Sequence, residues 1–186
     1  MYDGTLSPNP FMEITAILYQ ARDAFFKAFN TELEEIGLNY TQVFVLTALR
    51  ISSRPLAVSE IAHFLFREAH TISELVARME KCGYLERAPY GDDRRYARIQ
   101  LTSKGIESVD EAGRRITLLC KRLFSSFPPE ELEQFNKYLR SVRNQAMQEV
   151  GMEIIELPPH ISMDRLDKWI SQAQDECSSL LAIIEA

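Results

Sequence analysis

The chain is poor in the features that mark export, membrane insertion or catalysis. Its longest apolar stretches, such as VFVLTAL at 43–49, fall far below the roughly 20 residues needed to span a bilayer. The opening segment MYDGTLSPNP has no basic start and no apolar core, so it does not read as a signal peptide. Cys82, Cys120 and Cys177 are odd in number and widely scattered, which argues against a disulfide framework and fits a reducing, cytoplasmic location. His63, His70 and His160 show no metal-ligand spacing with one another or with the cysteines, so no metal is expected. No nucleophile–base pair, glycine-rich phosphate loop or carboxylate dyad stands out, so the residues lend catalysis no support and call for no cofactor. Internal repeats and low-complexity segments are absent as well.

What is present is an ordinary globular composition. The 186 residues, 46% hydrophobic and 26% charged, suffice for one good core or for a small domain with appended helices. The net charge of −6 would discourage a nucleic-acid partner if it were spread evenly. It is not. Residues 149–186 hold eight acids and two bases and so carry the whole excess. Between 78 and 104 the balance reverses: Arg78, Lys81, Arg87, Arg94, Arg95, Arg98 and Lys104 face only Glu80, Glu86, Asp92 and Asp93. A basic surface on an acidic protein is therefore open.

Hydrophobic periodicity predicts mostly helix. Ile14, Leu18, Ala21, Phe25, Phe29, Leu33 and Ile36 recur at steps of three and four, one face of a long helix that Gly37 is placed to end. Asn39 and Gln42 form a capping-box pattern opening a second helix that runs to about Ile51. SSRP at 52–55 interrupts the pattern, and a short third helix covers about 58–65, with Ala57 where a capping Ser or Thr is expected. A fourth spans about 70–82, stopped by Gly83. YLERA (84–88) is a strand candidate, and YARIQL (96–101) alternates Ala97, Ile99 and Leu101 against Tyr96, Arg98 and Gln100. APYGDDRR between them makes a hairpin loop longer than a tight turn needs. Helices from about Thr102 to Phe127 and over 129–150 follow, the first striped by Ile106, Val109, Ala112, Ile116, Leu119, Leu123 and Phe127. The second carries Leu132, Phe135, Leu139, Val142, Ala146 and Val150, and a last amphipathic helix over 163–184 carries Leu166, Ile170, Ala173, Cys177, Leu180 and Ile184, with Trp169 the sole tryptophan.

On the fourth helix Ile72, Leu75, Val76 and Met79 cluster on one side, while His70, Glu74, Ala77 and Lys81 lie opposite, flanked by Arg67, Thr71, Ser73 and Arg78. A polar face is common to most surface helices. A polar face set before a basic hairpin is less so, and such a helix fits the DNA major groove, where its outward side chains reach base edges and phosphates. Glu74 stands four residues before Arg78, the favourable order for an intrahelical pair, and that pairing is the expected one.

LNYTQVFVLTAL (38–49), SEIAHFLFREAHTISELVARMEKCGYLER (59–87) and DDRRYARIQLTSKG (92–105) together resemble the MarR family of bacterial transcription regulators, over about residues 11–150. The resemblance implies a mainly α protein with a small β-hairpin: an N-terminal dimerisation helix (11–37), a winged helix-turn-helix lobe (38–101), C-terminal dimerisation helices (102–150) and, beyond the usual family end, an acidic helical extension (151–186). It implies a recognition helix at 70–82 and a wing at 88–95, with Arg67, His70, Thr71, Ser73, Glu74, Arg78, Lys81, Arg94 and Arg95 at the DNA. In the wing, Asp93 would brace, Arg94 would meet phosphate and Arg95 would enter the minor groove, whose negative potential attracts arginine when it is narrow. No role is assigned to Asp92.

The same resemblance implies a homodimer on a palindromic operator, acting as a repressor that a small aromatic effector releases. Phe25, Phe29, Tyr40 and Phe44 are candidates to line the effector pocket, though core packing accounts for them equally. Some relatives sense peroxide through a cysteine near the N-terminus, and here none precedes Cys82. The alternative from another class is a winged-helix interaction module that has lost DNA binding and works through its acidic C-terminal helix. The basic residues Arg78, Arg94 and Arg95 separate the two readings.

Overall fold

The computed structural model describes residues 9–88, 98–152, 165, 166 and 168–171. Helix α1 (Pro10–Glu34) opens on Asn9, whose Oδ1 accepts from the Met12 N–H at 3.2 Å. It stops before the Gly37 turn, where φ is +67°. The predicted capping box then starts α2 (Tyr40–Ile51): Asn39 Oδ1 accepts from the Gln42 N–H at 3.0 Å, and Gln42 Oε1 accepts from the Asn39 N–H at 2.9 Å. Ala57 has no side-chain acceptor for α3 (Val58–Phe64), so Glu60 reaches back and accepts from the Ala57 N–H at 2.7 Å.

The turn into α4 (Ala69–Lys81) places Phe66 at φ +54°, a left-handed conformation uncommon for so bulky a residue. Two main-chain bonds hold it there, from the Arg67 N–H to the Ala62 carbonyl at 2.9 Å and from the Phe66 N–H to the His63 carbonyl at 3.2 Å. Strands β1 (Leu85–Ala88) and β2 (Arg98–Leu101) pair antiparallel, Leu85 opposite Leu101 and Ala88 opposite Arg98. The segment between α2 and α3 contributes more than a break: Leu56 bridges to Ile99 through bonds of 2.7 and 3.0 Å, adding one residue of a third strand. Helices α5 (Ser103–Phe124) and α6 (Pro129–Glu149) complete the main body. Residues 89–97, which hold the expected wing tip and the start of the alternating YARIQL run, lie outside the described residues, as does most of 163–184.

The core sits within the α2–β2 lobe. Leu46, Ile51, Leu56, Ile61, Ile72, Met79 and Ile99 are fully buried there, joined by Leu33 from α1 and by Val109 and Ala112 from α5. The outer helices differ sharply. Helix α6 buries only Met147 and leaves Phe135, Tyr138, Leu139 and Val142 exposed, and the first turns of α1 expose Phe11, Met12, Ile14 and Ile17. Among the described residues no helix is long and apolar enough to cross a membrane.

Two polar clusters hold the lobe to its neighbours. In the first, Glu60 binds Arg54 with a 2.6 Å contact to Nη2 and also takes the Arg98 guanidinium, so one carboxylate ties α3 to the preceding loop and to β2. Partial burial pushes the Glu60 carboxyl up, but the Arg54 bond, the Ala57 N–H and the Arg98 and Arg54 charges outweigh it and hold the pKa at about 2. In the second, Thr102 caps α5 by accepting from the Gly105 N–H at 3.1 Å, while its own N–H donates to the Tyr84 carbonyl at 3.1 Å. Gly105 lies so close to that carbonyl that a Cβ there would sit 2.1 Å from the oxygen.

Two expected outcomes follow from these clusters. Gly105→Ala must displace backbone rather than a side chain, so chemical denaturation should show a loss of about 1–3 kcal/mol. For Glu60 the folded pKa lies below the unfolded value of 4.5, so its contribution is complete above that value and is lost as pH falls from about 4.5 towards about 2. Glu60→Gln should therefore lower stability at neutral pH by at most about 3 kcal/mol and flatten the acid limb of the stability–pH curve over that interval.

Candidate nucleic-acid interface

The amphipathic pattern of α4 divides its side chains cleanly. Ile72, Val76 and Met79 are fully buried and Leu75 nearly so, which fixes the helix against the lobe. The opposite side is thereby forced outward: Arg67 in the preceding turn, then His70, Thr71, Ser73, Glu74, Arg78 and Lys81, are all exposed. His70 Nε2 and Thr71 Oγ1 lie 3.3 Å apart at the first turn. Glu68, just before the helix, makes no side-chain capping bond to the first-turn N–H groups, a disposition suited to phosphate oxygens.

The expected Glu74–Arg78 pair is not formed: no ion pair joins these two exposed side chains. Arg78 instead lines a cleft against α1, and Glu74 is left on the outer face. The remaining bases of the 78–104 run divide by role. Arg87 makes a two-pronged ion pair with Glu80, both contacts at 3.0 Å, and so ties β1 to the last turn of α4. Arg98 serves Glu60. Lys104 donates to the Cys82 carbonyl at 2.8 Å and lies 4.3 Å from the centre of the Tyr84 ring. These three bases support the fold. Arg78 and Lys81 make no ion pair among the described residues, and Asp93, Arg94 and Arg95 fall outside them.

A cleft of about 990 Å³ opens beside α4, between the second half of α1, the start of α2 and the inner edge of α4; Phe26, Lys27, Asn30, Thr71, Leu75 and Arg78 are among its walls. The four aromatics singled out from sequence lie elsewhere. Phe25, Phe29, Tyr40 and Phe44 stack in series, with ring centres 6.0, 5.1 and 4.4 Å apart, and none of them lines the cleft. Phe26 connects the two regions, edge-on to Tyr40 at 5.7 Å while forming a cleft wall. Burial pushes the Tyr40 hydroxyl and the Cys120 thiol above their ordinary pKa values, and the nearby Cys120 raises Tyr40 further. Cys82 is an exposed free thiol at the end of α4.

Sequence reasoning missed Glu60, Leu56, Phe26 and Lys27. Only Glu60 carried a usable signal, since an acid three residues after an N-terminal position that cannot cap is placed to do the capping itself. The described residues contain no grouping of His, Cys, Asp and Glu suited to a metal ion.

This arrangement of helices, hairpin and exposed helix edge has counterparts. A family model for a winged helix DNA-binding domain matches residues 38–105. The uncharacterized HTH-type transcriptional regulator YwoH of Bacillus subtilis (strain 168) is 30% identical over 114 residues, which are 61% of this chain and 82% of that protein. Two solved structures are similar at 22% identity: a MarR family transcriptional regulator from Rhodococcus sp. RHA1, with a TM-score of 0.65 over 73% of this chain and 97% of the other, and the S. aureus MepR–DNA complex, with a TM-score of 0.67 over 72% and 97%. The chain belongs to the MarR family of winged helix-turn-helix, DNA-binding transcriptional regulators.

Proposed function

We propose that the protein is a cytoplasmic homodimer that binds a palindromic operator, with α4 in the major groove and the 88–95 wing at the minor groove, and that it represses transcription until a small aromatic effector releases it. The observation that carries this reading is the divided α4: a fully anchored apolar side and an exposed edge bearing Arg67, His70, Thr71, Ser73, Glu74, Arg78 and Lys81. On this reading Arg78 and Lys81 reach bases or phosphate, Glu74 accepts from cytosine, and Arg95 enters the minor groove with Asp93 bracing it and Arg94 on the backbone. The interaction-module alternative is not favoured, because α4 keeps a basic edge that no other part of the described chain covers.

Dimerisation is supported by the apolar residues that one chain leaves open on α1 and α6, the segments 11–37 and 102–150 assigned to it from sequence. A second copy would cover them and set two α4 helices about one turn of DNA apart. Effector binding is supported by the cleft, where Lys27 and Arg78 outnumber the one acid, Glu34, among walls that include the Phe26 ring. That chemistry suits an aromatic carboxylate or phenolate, and it makes Arg78 common to the cleft and the DNA-facing edge. An effector that engages the guanidinium would withdraw it from DNA.

Binding to DNA from the protein's own promoter, measured by fluorescence anisotropy, should weaken steeply as salt rises. Arg78→Ala and Arg95→Ala should each cost about 1–3 kcal/mol of affinity. Lys27→Ala should leave operator affinity near the parent value while weakening release by the aromatic acid. Salt-independent binding, or parental affinity in both arginine variants, would sink the DNA reading.

A further inference from the structure

Among the described residues, the C-terminal extension meets the body of the protein at Leu166 and Trp169. Its described residues, 165, 166 and 168–171, are helical, and these two side chains pack against the lobe core. The Trp169 indole N–H donates to Asp110 Oδ1 at 2.6 Å. The same oxygen accepts from Arg50 Nε at 3.0 Å, with Arg50 Nη2 3.4 Å from Oδ2. Beneath the ring lies Gly113, where a Cβ would sit 2.5 Å from Cζ2 and 2.8 Å from Cη2. The notch fits an indole only because position 113 has no side chain.

These contacts join three parts of the molecule through one half-buried carboxylate. Arg50 is in the last turn of α2, within the lobe that carries α4, and Asp110 and Gly113 are on α5, which leaves the lobe for the outer helices. Trp169 comes from beyond the end of α6. Simple apolar packing would need no such geometry: an aliphatic side chain would fill the notch without an N–H aimed at a carboxylate that an arginine already holds. Charge-assisted bonds of this kind fix orientation as well as adding energy.

We propose that Trp169 is a positioning residue. With Asp110 and Gly113 it clasps the C-terminal helix across the α2/α5 junction and fixes the angle at which each DNA-binding lobe leaves α5, and so the distance between the two recognition helices of the dimer. The proposal rests on the operator-binding dimer described above. Loss of the clasp leaves each lobe intact, with its own α4 edge unchanged, and loosens the relation between lobes. The signature is therefore a change in spacing selectivity rather than in half-site recognition.

The test uses the full chain and three DNA probes: the palindrome footprinted in its own promoter, the same palindrome with one base pair added between half-sites, and a single half-site. The parent should prefer the natural spacing. Trp169→Ala and Gly113→Ala, whose new methyl evicts the ring, should keep half-site affinity and lose about tenfold of that preference, within the range usual for coupling between sites. Because Trp169 is the sole tryptophan, iodide quenching of its emission should be weak in the parent and strong in Gly113→Ala. Trp169→Phe keeps a ring in the notch and removes only the N–H, so it carries the comparison if the other variants melt early, and it should show an intermediate preference. If parent and variants discriminate spacing equally, or if the parent indole is quenched as freely as in Gly113→Ala, the positioning role is wrong and DNA binding stands. If the parent binds none of the probes with salt sensitivity, the operator reading fails and the positioning role fails with it.

Discussion

The main-chain carbonyl of Tyr84 is the point on which the rest of the lobe turns. It follows directly after the Gly83 turn that ends α4, and it precedes β1. The Thr102 N–H donates to it at 3.1 Å and Gly105 rests against it, while Lys104 reaches past the Tyr84 ring to the Cys82 carbonyl at 2.8 Å. The far end of α4 is thereby joined to the first turn of α5. With Arg87 and Glu80 adding a link from β1 to α4, helix, hairpin and the first turn of α5 are tied together. This explains in physical terms why the LTSKG run is needed as a unit: a cap at Thr102, a cation at Lys104 and a missing side chain at Gly105 act on the same few atoms.

What the sequence revealed and what it hid divide along the range of the interactions. Periodic burial placed α1 to α6 within a few residues, and the Asn39–Gln42 box is local enough to be read directly, as is the uncapped Ala57. The fold class followed from those elements and their order. The Glu60 cluster was hidden because it joins residues 6 and 38 positions apart, and neither separation corresponds to a helical or strand period. Leu56 was hidden for the same reason, its partner being Ile99. Glu74 and Arg78 show the reverse error: their spacing permits a pair, but an exposed arginine gains little from one and turns to the cleft. Phe26 was overlooked because it lies off the apolar stripe of α1 that Phe25 and Phe29 follow. Trp169 escaped similarly, standing beside the Leu166–Ile170 stripe and earning its place through an N–H and a glycine notch rather than through periodicity.

The charge pattern also reads differently once bases are sorted by what they touch. Of the seven bases between 78 and 104, Arg87, Arg98 and Lys104 are committed to carboxylates or carbonyls inside the lobe. Local net charge alone therefore overstates the surface available to phosphate. Arg78 and Lys81 remain on α4, and the proposed wing residues Arg94 and Arg95 supply the rest. A small set of cations at fixed positions suits a regulator better than a broad basic field, since phosphate attraction is indifferent to sequence, whereas side chains held at known places on a helix can distinguish bases.

The same sorting bears on the acidic extension. Its two bases, Arg165 and Lys168, line a small cavity with Arg50 and Trp169, next to the Asp110 carboxylate that the clasp uses. The acids of 149–186 far outnumber them, so the segment as a whole is repelled by phosphate, yet both of its bases, each exposed, lie at the described point of attachment. At physiological salt, charge effects fade over about 8 Å, so the position of the attachment matters more than the segment's total charge. Docking at the α2/α5 junction keeps the anchor on the lobe's rear connection rather than on the α4 edge. On the proposed reading, the extension influences DNA binding through the angle it sets and not by competing for the basic surface.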